Sequence, residues 1–399
     1  MTRLSPRSVV TICVSGLVAF AAAALPAAAP AGADQPSAQP ALFALKILSG
    51  MTLSHTFTVS GTNTTASEPL TKPDDITKLD GVIYVGFQNG VGPQGEPSSD
   101  GNTDSTIVAM GIFGKALGQW DVQGKVDGLT ADPAIGGLIA TVNEDANSSL
   151  YTIITGAHGA VNVQHYAYNE PLPHNGGTDA ISVRGHQILI SASAPGTTGT
   201  LAAPQPTFPA VYSVTLDSAT SVATVSPLFY DEDTASVANV SSQQGQKTAL
   251  ALTDPDSSEI VPKGAPRFAR DFMLDSQGDQ QQIFVEKGDP SKSLSVLTLS
   301  QAVDDTAWAV GPGALYGTDS TNDAVDVLGG TFGANPIVAV TPCGANTAPS
   351  TCPSPPDFPP NYLGSLNPWT GSITPVPVGG DAFVPQGGLV FMPSSPHHR

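Results

Sequence analysis

Six aspartates introduce one short pattern. In each copy an Asp, a spacer and an apolar residue are followed within a few positions by a Gly-containing turn and an apolar strand. The copies begin at Asp74, Asp127, Asp179, Asp271, Asp305 and Asp381. Carboxylates gathered by a repeat can hold a cation, share protons or, around a metal ion, activate water for hydrolysis. The competing role is structural, because an Asp at a strand start often accepts backbone N–H bonds from its own turn or from a neighbour. His174, in the stretch 171–179, stands just before one repeat Asp and could act there as a general base or a metal ligand.

Two further groups carry oxygen ligands. Asp100, Asn102 and Asp104 alternate as in the first half of a calcium loop. The rest of that pattern is absent: Ser105 stands where the turn Gly belongs, and Gly111 where a bidentate Glu belongs. The cluster Asp254-Pro255-Asp256-Ser257-Ser258-Glu259 offers oxygens too, but it is also ordinary turn chemistry and reads as a turn. Asp231-Glu232-Asp233 reads as a solvated loop. There is no Gly-Xaa-Ser-Xaa-Gly elbow, no His-Glu-Xaa-Xaa-His, no Walker loop and no dinucleotide-binding glycine motif after a strand. An enzyme of this sequence would have to assemble its site from separate elements.

The elements that must position these residues are strands. Helical periodicity is nearly absent, and short apolar or alternating runs such as Val82-Ile83-Tyr84-Val85 and Gln187-Ile188-Leu189-Ile190 recur between Gly, Pro, Asn and Asp. Each repeat reads as a hairpin, and further hairpins lie between copies. Two hairpins make a four-stranded sheet, and six such sheets arranged radially make an all-β, six-bladed β-propeller, with a seventh short blade conceivable between Asp179 and Asp271. The last copy leaves room for only two strands, so segments 41–47 and 52–60 are expected to complete that blade and close the ring by pairing N- and C-terminal strands. In such a ring the repeat aspartates converge at the channel mouth, beside Lys72, Lys125 and Arg270 and under the loops 88–106, 143–147 and 194–210.

The Asp-Gly-Leu strand start at Asp127, the strand Gly313-Ala314-Leu315-Tyr316-Gly317-Thr318-Asp319 and the turn Asn367-Pro368-Trp369-Thr370-Gly371 carry a resemblance. The chain resembles the secreted propellers of the NHL, YncE-like and gluconolactonase-like group over most of its length. The gluconolactonase-like members hold a divalent metal in the channel through a Glu, an Asn and an Asp; their Glu-Gly-Pro motif is not present here, so their activity is not carried over.

Composition sets the compartment and the partners. The 399 residues include 15 basic and 34 acidic ones, a net charge of −19, which excludes phosphate backbones and anionic lipid surfaces and favours cations or neutral ligands. Residues 1–33 read as a secretory signal, with Arg3 and Arg7, an apolar run over 9–25 and small residues up to Ala33. The mature chain, 34–399, reads as one propeller domain without a membrane span. Cleavage removes Cys13, leaving Cys343 and Cys352, which in an exported protein should form a disulfide closing a short surface loop. The expected function is therefore a secreted, monomeric binding or scaffold propeller. Its acidic top face would take a small-molecule, glycan or protein ligand, and calcium or another divalent cation could be bound. The alternative is a metal-dependent hydrolase or lactonase working at the same mouth.

Overall fold

The computed structural model describes residues 42–155, 161–173, 176–195, 208–289, 291, 293–341 and 360–394. The signal segment, His174, Cys343 and Cys352 lie outside the described residues. Strand β1 (Leu42–Ser49) is followed by a hairpin of β2 (Ser54–Thr58) and β3 (Thr65–Pro69), which forms a separate two-stranded sheet. Blade one is β4 (Pro73–Leu79), β5 (Val82–Phe87), β6 (Asp104–Met110) and β7 (Ala116–Gln123). Blade two is β8 (Val126–Asp132), β9 (Gly137–Val142), β10 (Ser149–Thr155) and β11 (Val161–Tyr168). Blade three is β12 (Thr178–Arg184), β13 (Gln187–Ala192), β14 (Pro209–Asp217) and β15 (Val222–Tyr230), and its outer strand pairs in parallel with β11, joining blades two and three into one eight-stranded sheet.

The sequence pattern follows position within a blade. The second strand of blade two, Gly137–Val142, is buried at every residue, whereas the outer strand of blade one, Ala116–Gln123, alternates between half-buried and exposed over most of its length. A strand packed on both faces needs a continuous apolar run; an edge strand needs only one apolar face. The tight β4–β5 turn uses Asp80 and Gly81 at φ 50° and 81°, the paired positive values of a two-residue hairpin.

Blade four departs from the simple repeat. A hairpin of β16 (Thr234–Val237) and β17 (Lys247–Ala249) adds to the outside of the sheet whose other strands are β18 (Pro255–Ile260), β19 (Phe272–Ser276), β20 (Gln281–Val285) and β21 (Leu294–Thr298). These elements occupy the stretch where a seventh blade was conceivable. Asp231, expected in a solvated loop, is fully buried and accepts the Phe208 N–H at 2.8 Å.

The last two blades interlace. Strand β22 (Val303–Ala307) begins blade five, and the chain then crosses to the next sheet for β23 (Gly313–Asp319) and β24 (Ala324–Gly329). It returns to blade five for β25 (Ile337–Val340), β26 (Tyr362–Leu366) and β27 (Ile373–Pro375), and finishes blade six with β28 (Val378–Gly380) and β29 (Leu389–Pro393). The expected β22–β23 hairpin is therefore not formed: β22 pairs with β25, and β23 pairs with β24 and β29. Closure uses β1, which pairs antiparallel with β24 and parallel with β28 in the same sheet as the C-terminal β29. The segment after it does not join that sheet, because β2 takes β3 as its partner.

Six inner strands, β4, β8, β12, β18, β22 and β29, neighbour one another in sequence and β29 returns to β4. Six apolar clusters fill the spaces between successive blades. The last of them packs Leu48, Tyr316 and Val325 of blade six against Ile76, Ile83 and Val108 of blade one. A cluster between every pair, including the last and first, makes this a closed six-bladed β-propeller.

Candidate functional site

The inner strands bring a column of acids to the channel axis. Their starts align as Asp74-Asp75-Ile76, Asp127-Gly128-Leu129, Asp179-Ala180-Ile181, Asp256-Ser257-Ser258, Asp304-Asp305-Thr306 and Gly387-Gly388-Leu389. In all five Asp-bearing strands the pairing with the adjacent strand slips at this point: between Pro73 and Ile76, Val126 and Gly128, Thr178 and Ile181, Pro255 and Ser257, and Val303 and Asp305. A bulge leaves one residue out of the ladder and re-aims its side chain. Here the same device, used five times, supplies the throat of the channel with Asp74, Asp127, Asp179, Asp256 and Asp304.

Blade six contributes backbone instead. Gly387 has φ +98°, and a Cβ there would lie 2.7 Å from Thr318 Oγ1 and 2.8 Å from the Asp74 carbonyl oxygen. Its N–H donates to Asp304 Oδ2 at 2.6 Å. Below the ring, Asp75 and Asp305 act as staples between blades. Asp75 accepts the N–H groups of Ile76 at 2.7 Å and of Leu129, on the next blade, at 2.6 Å. Asp305 does the same with Thr306 at 2.7 Å and Leu389 at 2.5 Å.

Among the described residues the channel has three parts. A throat of about 60 Å³ lies at the ring. It opens on one side to a mouth of about 610 Å³, which shares Asp74, Asp179, Asp256 and Asp304 with the throat and adds Glu144, Lys125 and Asp254. On the other side is a chamber of about 330 Å³, which shares Asp75, Ile181, Ser258 and Asp305.

The ring carries more carboxyl groups than cations to match them. Lys125 Nζ lies 2.7 Å from Asp127 Oδ1 and also pairs with Glu144. Burial alone would lower its pKa, but Asp127, Glu144 and Asp74 together raise it. Burial pushes Asp74 well above the usual carboxylate range; Lys125 opposes this, and Asp127, Asp304 and Asp75 reinforce it. Asp179 and Asp256 are raised well above that range, first by burial and then by Glu144 and by Asp304 respectively. Asp127 and Asp304 are raised by burial as well, against Lys125 in one case and the Gly387 N–H in the other. Gln88 Nε2 bridges Asp74 Oδ2 at 2.7 Å and Asp127 Oδ1 at 3.1 Å, while Asp127 Oδ2 is buried without a partner. Such a ring can be neutralised by taking up protons or by taking up a cation.

The sequence-derived site is thus partly relocated. Asp74, Asp127, Asp179 and Asp305 line the throat, with Asp305 one residue deeper than its ring neighbour Asp304. Asp271 precedes β19, the second strand of its blade, and accepts the Lys287 N–H at 3.1 Å. Asp381 is an exposed cap whose Oδ2 accepts the Lys46 N–H at 2.9 Å. Their places in the ring belong to Asp256 and to Gly387. Lys72 lines the mouth and donates to the Ser320 carbonyl at 3.3 Å, whereas Arg270 is in a turn at φ 71° beside Asp271. Of the calcium-like loop, Asp100 is exposed, and Asn102 spends its side chain on the Asp104 backbone, accepting its N–H at 2.8 Å and donating to its carbonyl at 2.9 Å. Among the described residues no three His, Cys, Asp or Glu side chains are grouped to hold a metal ion. No helix among them is long and apolar enough to cross a membrane.

The chain is similar in structure to a streptogramin B lyase, with 12% identity over 85% of this chain and 91% of that one and a TM-score of 0.38. It is also similar to a Bacteroides caccae protein of unknown function, with 9% identity over 89% and 99% and a TM-score of 0.41. A luciferin-regenerating enzyme aligns with 12% identity over 73% and 91%, with a TM-score of 0.34. No family model matches the chain, and no curated protein matches it in sequence.

Proposed function

We propose that this is an exported binding propeller of the NHL or YncE-like kind, released by cleavage after Ala33, whose acidic channel mouth captures a small cationic ligand. The observation that carries this reading is the ring itself. Five bulge-borne carboxyl groups surround the throat, one of them with a buried, unpartnered oxygen, and Lys125 is the ammonium set among them. A mouth of about 610 Å³ has the size of a small-molecule site. The ring surrounds a space rather than closing on a point, which suits a hydrogen-bonding organic cation better than a bare metal ion. The throat lining holds neither the Glu nor the Asn of the metal set that the gluconolactonase-like resemblance implies, so that set does not fit the residues present.

The test is a thermal melt at pH 7.5 in EDTA with n-butylammonium chloride, against the same concentration of sodium chloride. A ligand confined to the folded state stabilises by about 2.7 kcal/mol at a hundredfold excess over its dissociation constant. The melting temperature should rise in the native protein and in Asp104→Asn, but not in Asp127→Asn or Asp179→Asn. Equal melts in the two salts for the native protein would remove the reading.

A further inference from the structure

Past the ring, the lower chamber holds one more acid with an unpartnered oxygen. Glu259 lines the chamber three residues beyond Asp256 on β18, a separation of about 10 Å at the usual strand rise. Its Oε2 is buried with no hydrogen-bond partner. Burial raises its pKa to about 8, opposed by Lys78 and by the Trp308 N–H. Lys78 lines the same chamber but donates to the Phe391 carbonyl, and among the described residues it forms no ion pair. The ring has the matching feature at its own level, since Asp127 is 6% exposed and its Oδ2 is also unpartnered.

Between these two levels the wall changes character. Ala180 and Ile181 line the throat, and Leu129, Ile181 and the hydroxyl pair Ser182–Ser258, 2.9 Å apart, line the chamber. A throat of about 60 Å³ has room for roughly two water molecules, a space that a short methylene segment can occupy. Throat and chamber share Ile181 together with Asp75 and Asp305, so carboxyl groups recur beside an apolar patch from the ring down to Glu259, a lining that suits a linear molecule carrying more than one cationic group.

We propose that the channel takes an unbranched di- or triamine end-on, with one ammonium seated in the aspartate ring and a second reaching Glu259. This rests on the reading of the mouth as a cation site. It adds the ligand class and a second contact that the mouth alone does not supply.

The experiment is calorimetric titration of the mature chain with n-butylamine, putrescine and spermidine in 150 mM sodium chloride at pH 8.5, where Glu259 is mostly ionised and the terminal amines remain charged. Charge-assisted hydrogen bonds to a buried carboxylate correspond to roughly tenfold or more in affinity. Spermidine should therefore bind at least about tenfold tighter than n-butylamine. Glu259→Gln, which keeps an acceptor for the Trp308 N–H, should bring spermidine down to the n-butylamine level without changing n-butylamine itself. Asp127→Asn should weaken all three. If spermidine is no tighter than n-butylamine, or its advantage survives Glu259→Gln, the end-on inference is overturned while the cation site stands. If no amine binds, both fall together.

Discussion

Without a bound cation the ring should make the protein less stable as pH rises, and Asp75 sets the scale. Burial raises its carboxyl from 3.8 to about 7, against the opposing N–H bonds of Leu129 and Ile76. A group that holds its proton more tightly when folded contributes its full stability below its unfolded pKa and loses it as pH rises through the folded one. Between pH 5 and pH 8 Asp75 alone should cost roughly 2–3 kcal/mol by this linkage. In a chain of this length that corresponds to about 3–4 °C in melting temperature. Asp74, Asp127, Asp179, Asp256 and Asp304 are displaced in the same direction, burial being the first cause in each. His165, lowered by burial, acts the other way, gaining stability as pH rises. The sum should be a fall of at least about 5 °C from pH 5 to pH 8. Differential scanning calorimetry in EDTA at fixed ionic strength reads it directly. Asp179→Asn should flatten the slope, and Glu170→Gln, on the exposed surface, should not. A melting temperature that is flat or rising with pH, or an equal effect of the two variants, would show that the ring acids are solvated and refute the argument.

Two further outcomes follow from local geometry. Gly387→Ala places a side chain at φ +98° and within 2.9 Å of three oxygens, so urea unfolding should show a loss of about 1–3 kcal/mol, with amine binding weakened through the displaced Asp74. The β2–β3 hairpin is pinned by His55, whose Nε2 is 3.1 Å from Glu68 and Nδ1 3.4 Å from Asp121. Burial opposes protonation of this ring, but Asp121 and Glu68 together raise its pKa, so the hairpin should loosen as pH rises through that value. Hydrogen exchange over 54–69, corrected for intrinsic rates, should be faster at pH 8 than at pH 5.5, and His55→Gln should abolish the difference.

The fold was largely legible, because strands buried on two faces or one leave different hydrophobic patterns, and Gly-containing turns mark the hairpins. Three ring positions, Asp74, Asp127 and Asp179, follow directly from the Asp-spacer-apolar pattern. The others escaped it for identifiable reasons. Asp256 begins a strand whose sequence, Pro-Asp-Ser-Ser-Glu-Ile, is too polar to look like an inner strand, because its neighbours on the axis are hydroxyls and acids rather than a core. The doublet Asp304-Asp305 hides which residue the bulge turns inward, and only the pairing slip at Val303 resolves it. Asp271 and Asp381 satisfied the pattern by chance, since an Asp capping a strand end, before β19 in one case and after β28 in the other, has the same local sequence as a ring Asp. The crossing from β22 to β23 leaves no local mark: Gly313 to Asp319 reads as half of a hairpin in either sheet, and its partner is chosen by the packing of blades five and six. Closure through β1 could be read because the last copy leaves room for only two strands and the strand-like segment Leu42–Ser49 has no repeat hairpin before it, although the segment after it was expected to join the same blade and does not.

The most direct test of the central claim is calorimetric titration of n-butylammonium into the mature chain at pH 7 in two buffers of different ionisation enthalpy. A cation entering a ring of partly protonated carboxyls must displace protons, so the apparent enthalpy should depend on the buffer and report net proton release, and Asp127→Asn should remove the binding. Absence of binding, or binding with a buffer-independent enthalpy that survives Asp127→Asn, would contradict the assignment of the aspartate ring as the ligand site.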